Sequence, residues 1–287
     1  MRILITGSHG FVGTNLIEAL SREHEIICWN VREDKELPEI EVVIHCAAKV
    51  HDVRKTRAAD GGEFFETNTE LTKRLYDRVL QSSAKKFIFF SSIKAQDFDT
   101  PYAKSKKLAE EYIESLKEQT KGKKYYILRP CMIHGKGNKG NLYILVKWVK
   151  KGIPWPLGAF ENKRTFTSID NLCYIIEGLL TKDVESGIYN INDDESISTN
   201  ELIEIICEAT GKKARIWKIP KILMNIVAKL GGALHLPLNP ERLQKLTENY
   251  VSSNAKIKKA LGVDELPVRA KDGLMKTIRS FENNKKD

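Results

Sequence analysis

Residues 2–20 constrain this chain most: an apolar run, then Gly7, Gly10 and Gly13, then an apolar pattern at helical spacing. Arg2 to Thr6 (RILIT) is rich in branched side chains and reads as a buried parallel strand. Phe11, Val12, Leu16, Ile17 and Leu20 mark the helix that follows. Gly7 permits a tight turn, Gly10 lets an anion approach backbone N–H groups, and Gly13 lets the helix pack close to the strand. The helix start, at Phe11 and Val12, adds unsatisfied donors and partial positive charge. Strand, glycine turn and helix together predict a site for the pyrophosphate of a dinucleotide.

The chain has 287 residues, enough for one large domain or two smaller ones. Its net charge of +9 suits an anionic small molecule. The lysines are spread along helices without interleaved aromatics, which speaks against nucleic acid. Cys28, Cys46, Cys131, Cys173 and Cys207 are scattered, odd in number and without metal-ligand spacing. Reduced thiols in a cytoplasm, and no metal site, are expected. Met1 leads straight into the first strand and leaves no room for a targeting segment. The closing NNKKD reads as a frayed tail.

Further strands are predicted at Glu25 to Trp29, Glu41 to Ala47, Lys86 to Ser92 and Tyr125 to Leu128. Helices over 71–80 and 101–116 alternate with them, so the fold class is α/β with a Rossmann-type doubly wound parallel sheet. An acidic residue at the end of the second strand would bind the ribose of NAD. Asn30 stands there instead, with Arg32 near enough to meet a 2′-phosphate, which tilts the expectation from NAD towards NADP; Asp34 is the acidic alternative. Ala47 and Ala48 are small enough to leave room for the cofactor, Asn68 is expected beside it, and His51 reads as a solvated loop histidine.

Tyr102 and Lys106 are four residues apart and share a helix face. A neighbouring ammonium favours phenolate, which would bring the tyrosine towards use as a general acid/base near neutral pH. Ser92, at the carboxyl end of a central strand, lies where open α/β sheets place ligands.

These stretches resemble the extended short-chain dehydrogenase/reductase family, within it the nucleotide-sugar epimerases and reductases. TGSHGFVG at 6–13, FFSSIK at 89–94, PYAKSK at 101–106 and LRPCMIHG at 128–135 carry the resemblance. It implies a catalytic set of Ser92, Tyr102 and Lys106, with Tyr102 exchanging a proton with the sugar 4-hydroxyl while hydride moves at C4. It also implies that Lys106 and Tyr102 border the nicotinamide ribose, that Arg164 holds the substrate diphosphate, and that Asn141 holds the diphosphate or the sugar. Two features depart from the family pattern. The serine-to-tyrosine loop is short, and Ile93-Lys94 replaces the Asp-Glu of the 4,6-dehydratase branch, which argues against a dehydratase.

The expected boundaries are 1–135 for the NAD(P)-binding domain and 136–287 for a smaller, mostly helical substrate domain with some segments returning to the Rossmann core. Arg242, after a proline-marked turn, is a second candidate for the phosphates. Asp170 and Asn171 read as a helix cap, Ser198 and Glu201 as a capping box. Residues 221–236 form the most apolar segment, too short to span a bilayer. A core or lid helix is the expectation there, an interfacial membrane helix the alternative. The resulting reading is a cytoplasmic UDP-hexose 4-epimerase or 4-ketoreductase, with a homodimer possible and no stable membrane insertion. A catalytically idle dinucleotide-binding regulator is the rival.

Overall fold

A computed structural model describes residues 1–33, 35–50, 62–96, 100–234 and 238–283. Asp34, His51, the last two residues of the apolar segment 221–236 and the end of the tail lie outside them. In chain order the elements are β1 (Arg2–Thr6), α1 (Phe11–Leu20), β2 (Glu25–Trp29), β3 (Val42–His45) and the single turn α2 (Gly62–Phe64). A π-helical turn (Phe65–Glu70) leads into α3 (Leu71–Gln81), β4 (Lys86–Phe90), α4 (Pro101–Ser115) and β5 (Lys124–Pro130). Next come β6 (Met132–His134), α5 (Asn141–Lys150), β7 (Arg164–Ser168), α6 (Ile169–Thr181), β8 (Gly187–Ile191) and β9 (Ser196–Ile197). The chain closes with α7 (Thr199–Ala209), α8 (Lys221–Ala233), α9 (Pro240–Thr247), α10 (Ala255–Leu261) and α11 (Ala270–Asn283).

The chain divides into two compact units. Met1–Cys131, Leu172–Ile191 and Asn254–Glu265 make the first; Met132–Asn171, Asn192–Ser253 and Leu266–Asp287 make the second.

The first unit is built on a six-stranded sheet in the order β2-β1-β3-β4-β5-β8, parallel throughout. Its central strands are buried on both faces, so they read as unbroken apolar runs: Ile3, Leu4 and Ile5 are fully buried, as are Val43, Ile44 and Ile88. Leu4, Val43, Phe87, Phe89 and Ile127 pack with Tyr76 and Val79 of α3 and Ile113 of α4. The strand order reverses between β1 and β3, the switch point at which such sheets bind ligands outside their carboxyl ends. The dinucleotide-binding sheet in its usual order carries one more strand outside its second. Here β2 is the edge, because the described residues between 30 and 41 form no strand.

The second unit has its own small sheet, β6-β7-β9, with β6 and β7 parallel and β7 and β9 antiparallel. Its core joins Leu142 and Val146 of α5, Phe166 of β7, Ile206 of α7 and Leu274 and Ile278 of α11. The Ser198 and Glu201 capping box forms as expected and starts α7. The cap of α6 differs from expectation. Ser168 Oγ accepts from the Asp170 N–H at 3.2 Å, while Asn171 is buried and donates to Asp193 and to the Val268 carbonyl, each at 2.7 Å. Helix α8, expected as a core or lid helix, buries only Met224, Ala228 and Gly231. Its other apolar side chains face outwards.

Candidate active site

The glycine turn after β1 is shaped by contact distances. Gly7 has φ +69°, and a Cβ there would lie 2.6 Å from the Ala47 nitrogen. A Cβ on Gly13 would run into the Gly7 carbonyl oxygen. Gly10 enters α1 in an extended conformation and offers no side-chain cap. The first-turn N–H groups, those of Phe11 and Val12 among them, therefore have no side-chain acceptor from the cap position. This bare, glycine-walled helix start fits the pyrophosphate of a dinucleotide.

Beside it, Ala47 and Ala48 follow the end of β3. The Ala47 N–H donates to Thr6 Oγ1 at 3.3 Å. Behind these residues runs a buried chain: Thr6 Oγ1 meets His45 Nδ1 at 2.6 Å, His45 Nε2 meets Thr72 Oγ1 at 2.9 Å, and Thr72 Oγ1 donates to the Asn68 carbonyl at 2.8 Å. Burial, and secondarily the Lys106 charge, push the His45 imidazole down to about 3, so it stays neutral. Asn68, expected beside the cofactor, is wholly buried, and its amide accepts from the Lys49 N–H at 2.8 Å and donates to the Lys49 carbonyl and to Ser105 Oγ, each at 3.0 Å. It ties the segment after β3 to α4. The π-helical turn that carries it is a geometry often found at functional sites.

Asn30 accepts from the Arg32 N–H at 3.1 Å and donates to Glu33 at 3.3 Å. The exposed Arg32 lines a cavity of about 870 Å³ with Ala48, Lys49, Glu66 and Arg74. Lys49 pairs with Glu63 and Arg74 with Glu66 on its wall.

Ser92 follows β4, and its Oγ accepts from the Lys94 N–H at 3.3 Å, capping the 3-10 turn Ile93–Ala95. Thr100 caps α4, accepting from the Ala103 N–H at 3.2 Å, and Pro101 fixes the first helical φ. Tyr102 is thereby held in the first turn of α4, its phenol near enough to Ser92 to feel the serine hydroxyl. Burial raises the phenol's pKa above the ordinary tyrosine value, and the Ser92 hydroxyl opposes that rise.

The expected lowering by Lys106 is thus not what the structure shows. Lys106 is buried, donates to the Phe90 carbonyl at 2.7 Å, and lies 4.7 Å from the centre of the Phe89 ring. Burial pushes its pKa down to about 7, against the opposing influence of Cys46 and Glu110.

Glu110 is a residue that the sequence reading missed. Buried on α4, it accepts from Arg129 Nε of β5 at 2.8 Å, from a second Arg129 nitrogen, and from Ser91 Oγ. This clamp ties α4 to the ends of β4 and β5 and so positions Tyr102 and Lys106. The signal was present: 102, 106 and 110 continue one spacing of four along the helix. Gly7, Gly10, Ala47, Ser92 and Tyr102 thus share the carboxyl edge of adjacent strands β1, β3 and β4.

The other three expected residues belong to the second unit. Arg164, at the start of β7, is half-buried, and among the described residues nothing hydrogen-bonds or ion-pairs with its guanidinium. Burial lowers its pKa, with Glu248 and Tyr250 opposing. Asn141 is exposed at the first position of α5, and Arg242 is exposed on α9.

A doubly wound parallel sheet, a glycine turn shaped for an anion and a strand-end serine beside a helix tyrosine define a dinucleotide-binding enzyme. Residues 3–192 match the NAD dependent epimerase/dehydratase family, and the chain belongs to it. It is an enzyme of the extended short-chain dehydrogenase/reductase type. It is 28% identical to a UDP-glucose 4-epimerase of Vibrio cholerae, over 97% of this chain and 95% of that one. A relative in Escherichia coli O157:H7, N-acetyl-alpha-D-glucosaminyl-diphospho-ditrans,octacis-undecaprenol 4-epimerase, is 25% identical over 99% of this chain and 97% of its own. In fold the chain resembles a UDP-glucuronic acid 4-epimerase from Bacillus cereus solved in complex with NAD. That match has a TM-score of 0.74 at 18% identity and covers 99% of each chain.

Proposed function

We propose that this enzyme is a cytoplasmic nucleotide-sugar 4-epimerase or 4-ketoreductase whose substrates are UDP-hexoses. The observation that carries this reading is the Ser92–Tyr102 pair at the carboxyl end of β4, on the same sheet edge as the glycine turn. The nicotinamide dinucleotide, held by Gly7, Gly10 and the start of α1, supplies the hydride acceptor or donor. Tyr102 passes a proton between its phenol and the sugar 4-oxygen, and Ser92 hydrogen-bonds the same oxygen. Burial keeps the phenol protonated, so Tyr102 is set as the proton donor to a 4-keto sugar. Lys106 is proposed to hold the nicotinamide ribose. An ammonium has three donors, so the bond to Phe90 leaves others for the ribose. Arg164, with Asn141 and Arg242, is proposed for the nucleoside diphosphate; a half-buried guanidinium with an unclaimed fork suits phosphate oxygens. Free cysteines fit a reducing cytoplasm.

NADP is the proposed preference over NAD, supported by Asn30 at the end of β2 and Arg32 on the cavity wall. Glu33, bonded to Asn30, is the acidic group that would favour NAD. Titrating the protein with NADPH and NADH should give tighter NADPH binding, erased in Arg32→Ala. Tighter NADH binding would reverse the assignment.

Function itself is tested by incubating purified protein with UDP-hexoses and NAD, and with a UDP-4-keto sugar and NADPH. Products are followed by NMR. Interconversion of C4 epimers identifies an epimerase, and reduction alone a ketoreductase. A bound dinucleotide with no sugar conversion would turn the reading to the catalytically idle regulator.

A further inference from the structure

Helix α8 is apolar on two sides. Met224, Ala228 and Gly231 are buried, yet Ile222, Leu223, Ile226, Val227, Leu230 and Leu234 are 42–76% exposed along α8 and its C-cap. At about 100° per residue these six fill one arc of roughly 140°. The polar strip is narrow: Lys221, Asn225 and Lys229. Just ahead of the helix, Trp217 is 56% exposed, and Lys212, Lys213, Arg215 and Lys218 are exposed around it. The sequence has no Asp or Glu from Gly211 to Pro240.

A contiguous apolar face of this kind marks a surface that something covers. A second copy pairing through the same face would bring two uniformly basic strips together, which is unfavourable. The charge instead complements a sheet of anionic headgroups, and an exposed tryptophan beside lysines suits the headgroup level of a bilayer. Helix α8 has 13 residues and a length of about 20 Å, and no described helix is long and apolar enough to cross a membrane. We propose that α8 and the preceding basic segment dock the enzyme on an anionic lipid bilayer. The helix lies in the interface plane, its leucine and isoleucine side chains at the acyl boundary and its lysines among the phosphates.

The test is flotation of the full-length protein with vesicles of phosphatidylcholine alone and of an equal mixture with phosphatidylglycerol. Binding to the mixed vesicles only, weakened by salt, is expected. Leu223→Gln with Leu230→Gln, and separately Lys213→Glu with Lys218→Glu, should each lower binding by about tenfold or more. None of these residues belongs to the proposed site, so melting temperature and turnover of a soluble sugar nucleotide should stay unchanged. Trp217 emission should shift to shorter wavelength on mixed vesicles, a change absent in Trp217→Phe. No flotation with the mixed vesicles, or equal flotation with both kinds, would overturn the proposal. So would a dimer seen by light scattering that Leu230→Gln dissociates while vesicles remain unbound, because a second copy would then cover α8.

Discussion

His45 and Lys106 are the two buried bases behind the sheet edge, and burial acts on both in one direction, against the charged form. For His45 the consequence for stability is direct. The folded imidazole stays neutral down to about 3, whereas the unfolded one takes up its proton near 6.5. Stability from the neutral ring is therefore complete above pH ~6.5 and is lost as pH falls towards ~3, at up to about 1.4 kcal/mol per pH unit. Urea unfolding between about pH 7 and pH 4 should show this loss. His45→Gln should be less stable at neutral pH and flatter by about one proton's slope; an unchanged slope would place the acid sensitivity elsewhere. His45 itself was not legible as special, since VVIHC reads simply as an apolar strand. Its partners Thr6 and Thr72 come together only through the sheet and α3. Tyr102 was legible, but the sense of its pKa was not, because spacing along a helix does not reveal that Lys106 turns to the Phe90 carbonyl.

At the scale of elements, α4 is held by a buried charge pair, and such a pair resists the loss of one partner more than the loss of both. Arg129→Met should destabilise the first unit by about 3–5 kcal/mol, because Glu110 is left charged and buried. Glu110→Met combined with Arg129→Met should recover most of that, and a double variant as unstable as the single would contradict the clamp. The glycine turn makes a separate prediction. Gly13→Ala places a methyl against the Gly7 carbonyl, so α1 must move, at a cost of about 1–3 kcal/mol and most of the dinucleotide affinity. Calorimetric titration with NADPH, beside a thermal melt, measures both.

Elements whose cause is local were readable: β1 and β2 span the residues expected, and the capping box of α7 forms as written. Elements whose cause is tertiary were not. FETNTE is polar after Phe65, and its π-helical turn arises where Asn68 and Thr69 bond to the Lys49 and Ser105 backbones and to Ser105 Oγ. The β6-β7-β9 sheet buries Thr165, Thr167 and Ser168, residues that advertise no core strand.

On the scale of the whole molecule, the chemistry-bearing residues gather in the first unit, and the residues proposed for the diphosphate lie in the second. That division predicts separable affinities. Arg164→Ala should weaken UDP binding by ~2–3 kcal/mol, a Kd rise on the order of thirty- to a hundredfold, while dinucleotide affinity stays constant. A loss shared equally by both ligands, or unchanged UDP binding, would remove Arg164 from the substrate site. The central claim concerns one proton, and the most direct measurement compares kcat/KM for C4 conversion of a UDP-hexose in the unmodified enzyme and in Tyr102→Phe. Only the phenolic oxygen is removed, so a fall of about a hundredfold or more, with dinucleotide affinity intact, is predicted. Near-equal values of kcat/KM in the two proteins would show that another group carries the proton.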